Sequence, residues 1–319
     1  MDNILLTLLM DITELERKIR DFVNSPRRQS TLLNKREGWN KLCSSLDLIG
    51  DTELAISAYP SLCKTEGDGA AYLIVYGILQ TLLLQQDAAK NIADVLSIKF
   101  KLPKELQQIR IIRNSAAGHP GAQKENGLVK SCFISRFSLS PLSFELMTAY
   151  SDDKDYEMWH IVIPKLLETQ NTYLGELLEQ VIKELEAQEM EHREKHKDVK
   201  LVESFPHTIS YFFSKIFEAS FNRSAFSLGA IHVKCIQDCL DNFQAKLKER
   251  GEWNVYDSVD YHSELIAYPM SEIKAYFDGT PETKLNDKDV YIFASFVSEQ
   301  IKTLEIIAKE IDEEYESNP

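Results

Sequence analysis

The stretch Pro103-Lys-Glu-Leu-Gln-Gln-Ile-Arg-Ile-Ile-Arg-Asn-Ser-Ala-Ala-Gly-His-Pro120 decides how the chain is read. It predicts a helix with Pro103 at its first position, where a missing N–H costs nothing. Leu106, Ile109 and Ile112 recur at a spacing of three and mark a buried face. After Ile112 the apolar pattern stops, and Gly118 and Pro120 act as stop signals. The last turn thus carries an arginine, an amide and an imidazole, with Ser-Ala-Ala-Gly between Asn114 and His119. On an unbroken α-helix, six residues would carry His119 about 9 Å along the axis and roughly 240° round from Arg113. The two converge only if Gly118 bends the chain or a second copy of the helix crosses this one. A two-fold dimer would bring two arginines and two histidines into one cleft.

Arg113-Asn114, followed by His119, resembles the R-x4-6-H motif of the HEPN family. Tyr76-Gly-Ile-Leu-Gln80 and Gln85-Gln-Asp-Ala88, upstream on a long predicted helix, resemble the family's preceding helix, and Gly118-His119-Pro120 resembles the motif's ending in a prokaryotic subgroup. The resemblance covers residues 1–150. It implies a helical domain acting as a homodimeric, metal-independent endoribonuclease, of the kind found as toxins of toxin–antitoxin pairs and as antiviral defence effectors. His119 would serve as general acid or base on the ribose 2′-hydroxyl or the 5′-oxygen; an unperturbed imidazole titrates near pH ~6.5, which suits both duties. Arg113 would clamp the phosphate and offset its growing charge, and Asn114 would hydrogen-bond it or orient a neighbour. Products would carry a 2′,3′-cyclic phosphate. The expected partners are RNA, a second copy, and an antitoxin or regulatory protein; no cofactor and no metal are expected. The alternative is a non-catalytic HEPN-like module that binds a protein partner or a nucleotide, since fold alone does not establish function.

At 319 residues, 44% hydrophobic and 27% charged, the chain has room for two globular domains. Its formal charge of −14 is unevenly spread. Residues 1–135 hold 17 Lys+Arg against 15 Asp+Glu, whereas residues 136–319 hold 19 against 35. Between Arg17 and Lys41 lie Arg17, Lys18, Arg20, Arg27, Arg28, Lys35, Arg36 and Lys41, opposed by Asp21 and Glu37. With Arg110 these form the candidate RNA-binding surface, a local patch whose grip on phosphates would weaken with salt; a solvated helix surface is the plainer reading. The five cysteines, in no framework spacing, read as reduced thiols of a cytoplasmic protein. The apolar opening Met1–Met10 is short and has no preceding basic residues, so it does not read as a signal peptide, and no run reaches membrane-spanning length.

The predicted fold class is mainly α: an N-terminal helical bundle over 1–150 with one β-hairpin at 128–150, a long connecting helix within 151–198, and a second all-helical region over 199–319. Helices are predicted over 5–23, 35–58 and 70–98, with Ser25-Pro-Arg-Arg28 as a break. On the third, Tyr76, Gln80, Asp87, Asn91 and Asp94 form one polar stripe. The stripe either faces solvent or lies beside the motif, where Gln80 or Asp87 would orient Arg113 or His119. Alternation around Phe133 and again at Leu142, Phe144 and Leu146 predicts the hairpin. The polar segment 186–197 reads as projecting into water or bridging domains. On it, His192 and His196 share a face but read as solvated, without a third ligand. His232, Cys235 and Cys239 share another face and read as buried packing groups. Phosphate-binding glycine loops and nucleophile elbows are absent.

Overall fold

A computed structural model describes residues 11–33, 35–118, 123–125, 128–151, 156–279 and 284–316. The fold is mainly α. The chain divides into two compact units, Met1–Leu185 and Glu186–Pro319.

In the first unit, α1 (Ile12–Val23) is capped by Asp11, whose carboxylate accepts the Glu14 N–H at 2.9 Å. Its buried Ile12, Leu15, Ile19 and Val23 recur at helical spacing. The first helix ends at Val23, as the expected break requires, and a second, α2 (Pro26–Leu33), follows after two residues with Pro26 at its first position. Next come α3 (Arg36–Leu62) and α4 (Asp68–Val95). The helix α5 (Lys104–Arg113) begins one residue after Pro103, which lies outside it with φ −58° and ψ 155°. A π-helical turn, Asn114–Gly118, continues α5.

Four strands then form one antiparallel sheet in the order β1 (Gln123–Glu125), β2 (Leu128–Ile134), β3 (Ser143–Tyr150), β4 (Glu157–Val162). The predicted hairpin is the β2–β3 pair, in register Cys132↔Thr148 and Ile134↔Leu146. Cys132, Phe144 and Leu146 face inward, while Phe133 is exposed. A 3₁₀ turn at Arg136–Ser138 leaves Phe137 fully exposed. β4 escaped the sequence reading because Ile161 is its one buried residue, so it shows no apolar alternation.

The helix α6 (Ile163–His196) starts directly after β4, and the division between the units falls within it, at Leu185/Glu186, earlier in the chain than the expected boundary near Asp198. Two clusters fill the first unit. Ile19, Leu46, Ile92 and Leu178 centre the one shared by α1, α3, α4 and α6. Leu79, Ile109, Ala116, Phe144 and Ile163 centre the other, where α5, the π turn and the sheet meet α4 and α6.

Between α3, α4 and α6 runs a relay of amides. Gln85 Nε2 donates to Glu53 Oε1 at 2.5 Å, Gln170 Nε2 to Gln85 Oε1 at 3.0 Å, and Gln86 Nε2 to Gln170 Oε1 at 2.8 Å. Such polar ties specify helix register where apolar contacts alone would allow slippage. Burial raises the Glu53 carboxyl pKa above its ordinary 4.5, against the Gln85 hydrogen bond and with help from nearby Asp11. A raised carboxyl pKa means the folded state favours the protonated form, so this group's contribution is most favourable below pH 4.5 and is lost as pH rises through the raised value. Glu53→Gln keeps an acceptor without the charge. It should melt higher than wild type at pH 7, with the gap closing below pH 4.5. A gap that stays constant across that range in thermal melts would contradict the assignment.

The second unit is all-helical: the end of α6, then α7 (Ile209–Ser220), α8 (Phe226–Glu249), α9 (Asp257–Phe277) and α10 (Asp287–Glu316). Gly251, at φ +69°, ends α8 in the left-handed conformation that glycine adopts without strain. Asn286 caps α10 by accepting the Lys288 and Asp289 N–H groups, while Asp289 accepts the Asn286 N–H in return. Phe213, Ile236, Ile273 and Val297 lie at the core. The polar end of α6 does not simply face water: His196 is 7% exposed, and Arg193 lies 6.0 Å from the Tyr315 ring centroid. Its partners are polar and aromatic rather than aliphatic, which is why hydrophobic periodicity did not reveal the contact. His232 is buried against Phe212 and Tyr211, whereas Cys235 and Cys239 are half-buried rather than fully enclosed.

Candidate active site

The antiparallel packing of α4 and α5 brings the polar stripe to the motif. Residues seven apart lie two turns along the same face of a helix. Gln80 and Asp87 on α4 accordingly meet Arg113 and Arg110, three apart on α5. Gln80 Oε1 accepts from Arg113 Nε at 3.1 Å and from Nη2 at 2.6 Å. Arg113 Nη1 donates to Asn114 Oδ1 at 3.0 Å. Asp87 pairs with Arg110, Nη1 to Oδ1 at 2.7 Å. Of the two candidate orienting residues, Gln80 therefore contacts Arg113, and Asp87 serves Arg110. Further along the stripe, Asp94 reaches Lys41 on α3 at 3.6 Å.

The distinction between the two arginines is electrostatic. Arg110 has a carboxylate partner, whereas Arg113 is held only by neutral amide oxygens among the described residues. A guanidinium has five N–H donors. Three are engaged, which leaves one on Nη1 and one on Nη2 without a partner among the described residues. Arg113 is half-buried, so its uncompensated charge stands at a partly desolvated helix end. Planar donors of this kind suit a phosphate oxygen.

The π turn gives this arrangement its shape. Its i→i+5 repeat brings Gly118, rather than Ala117, round over Arg113. Ser115 and Ala116 are buried where the turn lies against α4 and β2. A Cβ on Gly118 would stand 2.5 Å from Arg113 Nη1 and 3.3 Å from Asn114 Oδ1. The guanidinium thus occupies space that only glycine leaves open. Sequence reading noted the small residues but missed the turn, because no local residue pattern announces a π repeat. His119 and Pro120 lie outside the described residues.

The basic segment is partly neutralised. Arg17 pairs with Glu14 and Asp21, at 2.8 and 2.9 Å, and Arg20 with Glu16 and Asp47. Arg28 Nη2 donates to the Leu185 carbonyl at 3.0 Å. Lys18, Lys35 and Arg36 are exposed, and Arg27 is half-buried. α1 and α2 pack on α3, whereas α5 packs on α4, so this segment and Arg113 rest on different helices. Arg110, the remaining candidate for phosphate contact, is committed to Asp87.

Among the described residues no group of three or more His, Cys, Asp or Glu side chains is placed to hold a metal ion, and no helix is long and apolar enough to cross a membrane. No protein-family model, curated protein or solved structure matches this chain.

Proposed function

We propose that the chain is a HEPN-type, metal-independent endoribonuclease that acts as a homodimer, in the role of a toxin or an antiviral defence effector. The observation that carries this reading is the Arg113 guanidinium, fixed by Gln80 and Asn114 yet not neutralised by a carboxylate among the described residues. Half-burying a cation without a counter-charge is costly, and a transient anionic ligand offsets that cost. In the proposed reaction His119 takes the proton of the ribose 2′-hydroxyl, the 2′-oxygen attacks phosphorus, and the 5′-oxygen leaves with a proton supplied by an imidazole. The P–O5′ bond breaks as the P–O2′ bond forms, giving a 2′,3′-cyclic phosphate and a 5′-hydroxyl. Arg113 stabilises the phosphorane oxygens. DNA, without the 2′-hydroxyl, is not cleaved.

The net charge of −14 favours a second reading, a non-catalytic module that docks a protein partner, because it opposes long-range attraction to RNA. One experiment separates them. Purified protein is incubated with total RNA in EDTA beside the Arg113→Ala variant. The nuclease reading expects cleavage by wild type, cyclic-phosphate ends, and a loss of about 10²–10³-fold in the variant, the scale on which removing a transition-state charge stabiliser acts. Intact RNA in both arms supports the docking module.

Gly118→Ala tests the shape of the site rather than its chemistry. The clash falls on the far end of a flexible side chain, so the guanidinium swings away from Gln80 while the fold survives. Cleavage should fall by as much as about 10²-fold, as misplacement by an ångström can cause, with the melting temperature nearly unchanged. Full activity in this variant would show that Arg113 works from some other position.

A further inference from the structure

We propose that a cavity between α8 and α9, in the second unit, binds a small organic cation with a flat apolar body, of the arylalkylamine class. The cavity measures about 340 Å³, at the small end of ligand pockets, with room for a bicyclic ring and a short chain. Phe243, Ile266 and Met270, all nearly buried in the core of the unit, supply an apolar floor. Trp253, on the turn after Gly251, supplies an aromatic wall. The rim is polar and carries one charge in its lining, the Asp241 carboxylate. Gln237 Nε2 donates to Asp241 Oδ1 at 2.8 Å, which orients the carboxylate and leaves Oδ2 without a partner among the described residues.

This set selects by charge and shape. A flat ring against Trp253 gains apolar burial and stacking. A cationic group at the rim gains a charge-assisted bond to Asp241. An anion of the same shape meets the carboxylate instead and is repelled. Lys248, whose Nζ lies 5.2 Å from the Trp253 ring centroid, is outside the lining and approaches the indole as cations do.

Isothermal titration of the full chain with tryptamine, and with indole-3-acetate as its anionic counterpart, tests the assignment. Tryptamine should bind saturably at one site, and indole-3-acetate at least tenfold more weakly. Asp241→Asn should weaken tryptamine by about tenfold or more, the scale of a lost charge-assisted hydrogen bond, while closing the gap between the two ligands. Ser263→Leu, which fills the cavity from α9, should abolish binding with circular dichroism unchanged. Absence of saturable tryptamine binding, equal affinity for both ligands, or binding untouched by either substitution would each overturn the proposal.

Discussion

The His119→Ala protein should cleave RNA about 10²–10⁴-fold more slowly than wild type, the contribution of general acid–base catalysis. The loss should appear with magnesium chelated, since the proposed nucleophile is the RNA's own 2′-hydroxyl. It should also differ in kind from the loss in Arg113→Ala. Removing a proton-transfer group flattens the pH–rate profile on the limb that imidazole controls. Removing the guanidinium lowers the rate without changing the shape of that profile, because arginine stays protonated throughout. In a homodimer whose two protomers share one cleft, mixing the two variants yields some dimers with one intact copy of each group. Partial recovery of activity in the mixture would therefore also report the shared cleft. Equal rates for wild type and His119→Ala, both in EDTA, would remove this residue from the mechanism.

The largest expected effect on stability lies in the second unit, at Arg250. This side chain is 1% exposed, the bulkiest of those almost fully enclosed. Its Nε stands 2.8 Å from Glu252 Oε2, its Nη1 donates to Asp312 Oδ1 at 2.6 Å, and its Cζ lies 3.8 Å from the Tyr315 ring centroid. Asp312 in turn accepts the Leu201 and Val202 N–H groups, fixing the chain between α6 and α7. Arg250→Met fills much of the same volume but leaves two carboxylates buried without their cation. Breaking a buried pair in this way costs about 3–5 kcal/mol. For a unit of this size that corresponds to a fall in melting temperature of roughly 10–20 °C. Adding Asp312→Asn should recover part of it, because the amide carries no charge and its one oxygen still accepts one of the two N–H groups. A melting temperature for Arg250→Met within two or so degrees of wild type, about the effect of an ordinary surface change, would show that the cluster is solvated rather than sealed.

Much of the helical framework was legible because its helices bury aliphatic faces. Ile12, Leu15, Ile19 and Val23, or Leu174, Leu178, Val181 and Leu185, repeat at intervals that only an α-helix turns to one side. The β2–β3 hairpin announced itself by a change of period. The edge strand β4 did not, since a strand exposed on most of its length carries no alternation. The polar end of α6, expected to face water or bridge domains, hid its contacts for the converse reason: Arg193 meets the Tyr315 ring and the Glu314 backbone carbonyl, which are aromatic and polar. Periodicity measures apolar burial and is blind to contacts of this kind.

By itself the sequence determined the mainly α class, the presence of an arginine and a histidine bracketing small residues, and a polar stripe on the preceding helix. Those are properties of local spacing, which covalent geometry converts into faces. Only the tertiary structure decided that Gln80 rather than Asp87 holds Arg113, and that Gly118 makes room for the guanidinium. It also decided that Arg17, Arg20 and Arg110 are committed to carboxylates while Arg113 is held by amide oxygens. These choices rest on the register between α4 and α5 and on one π turn. Both are set by how whole faces pack, and neither is written in any short run of residues.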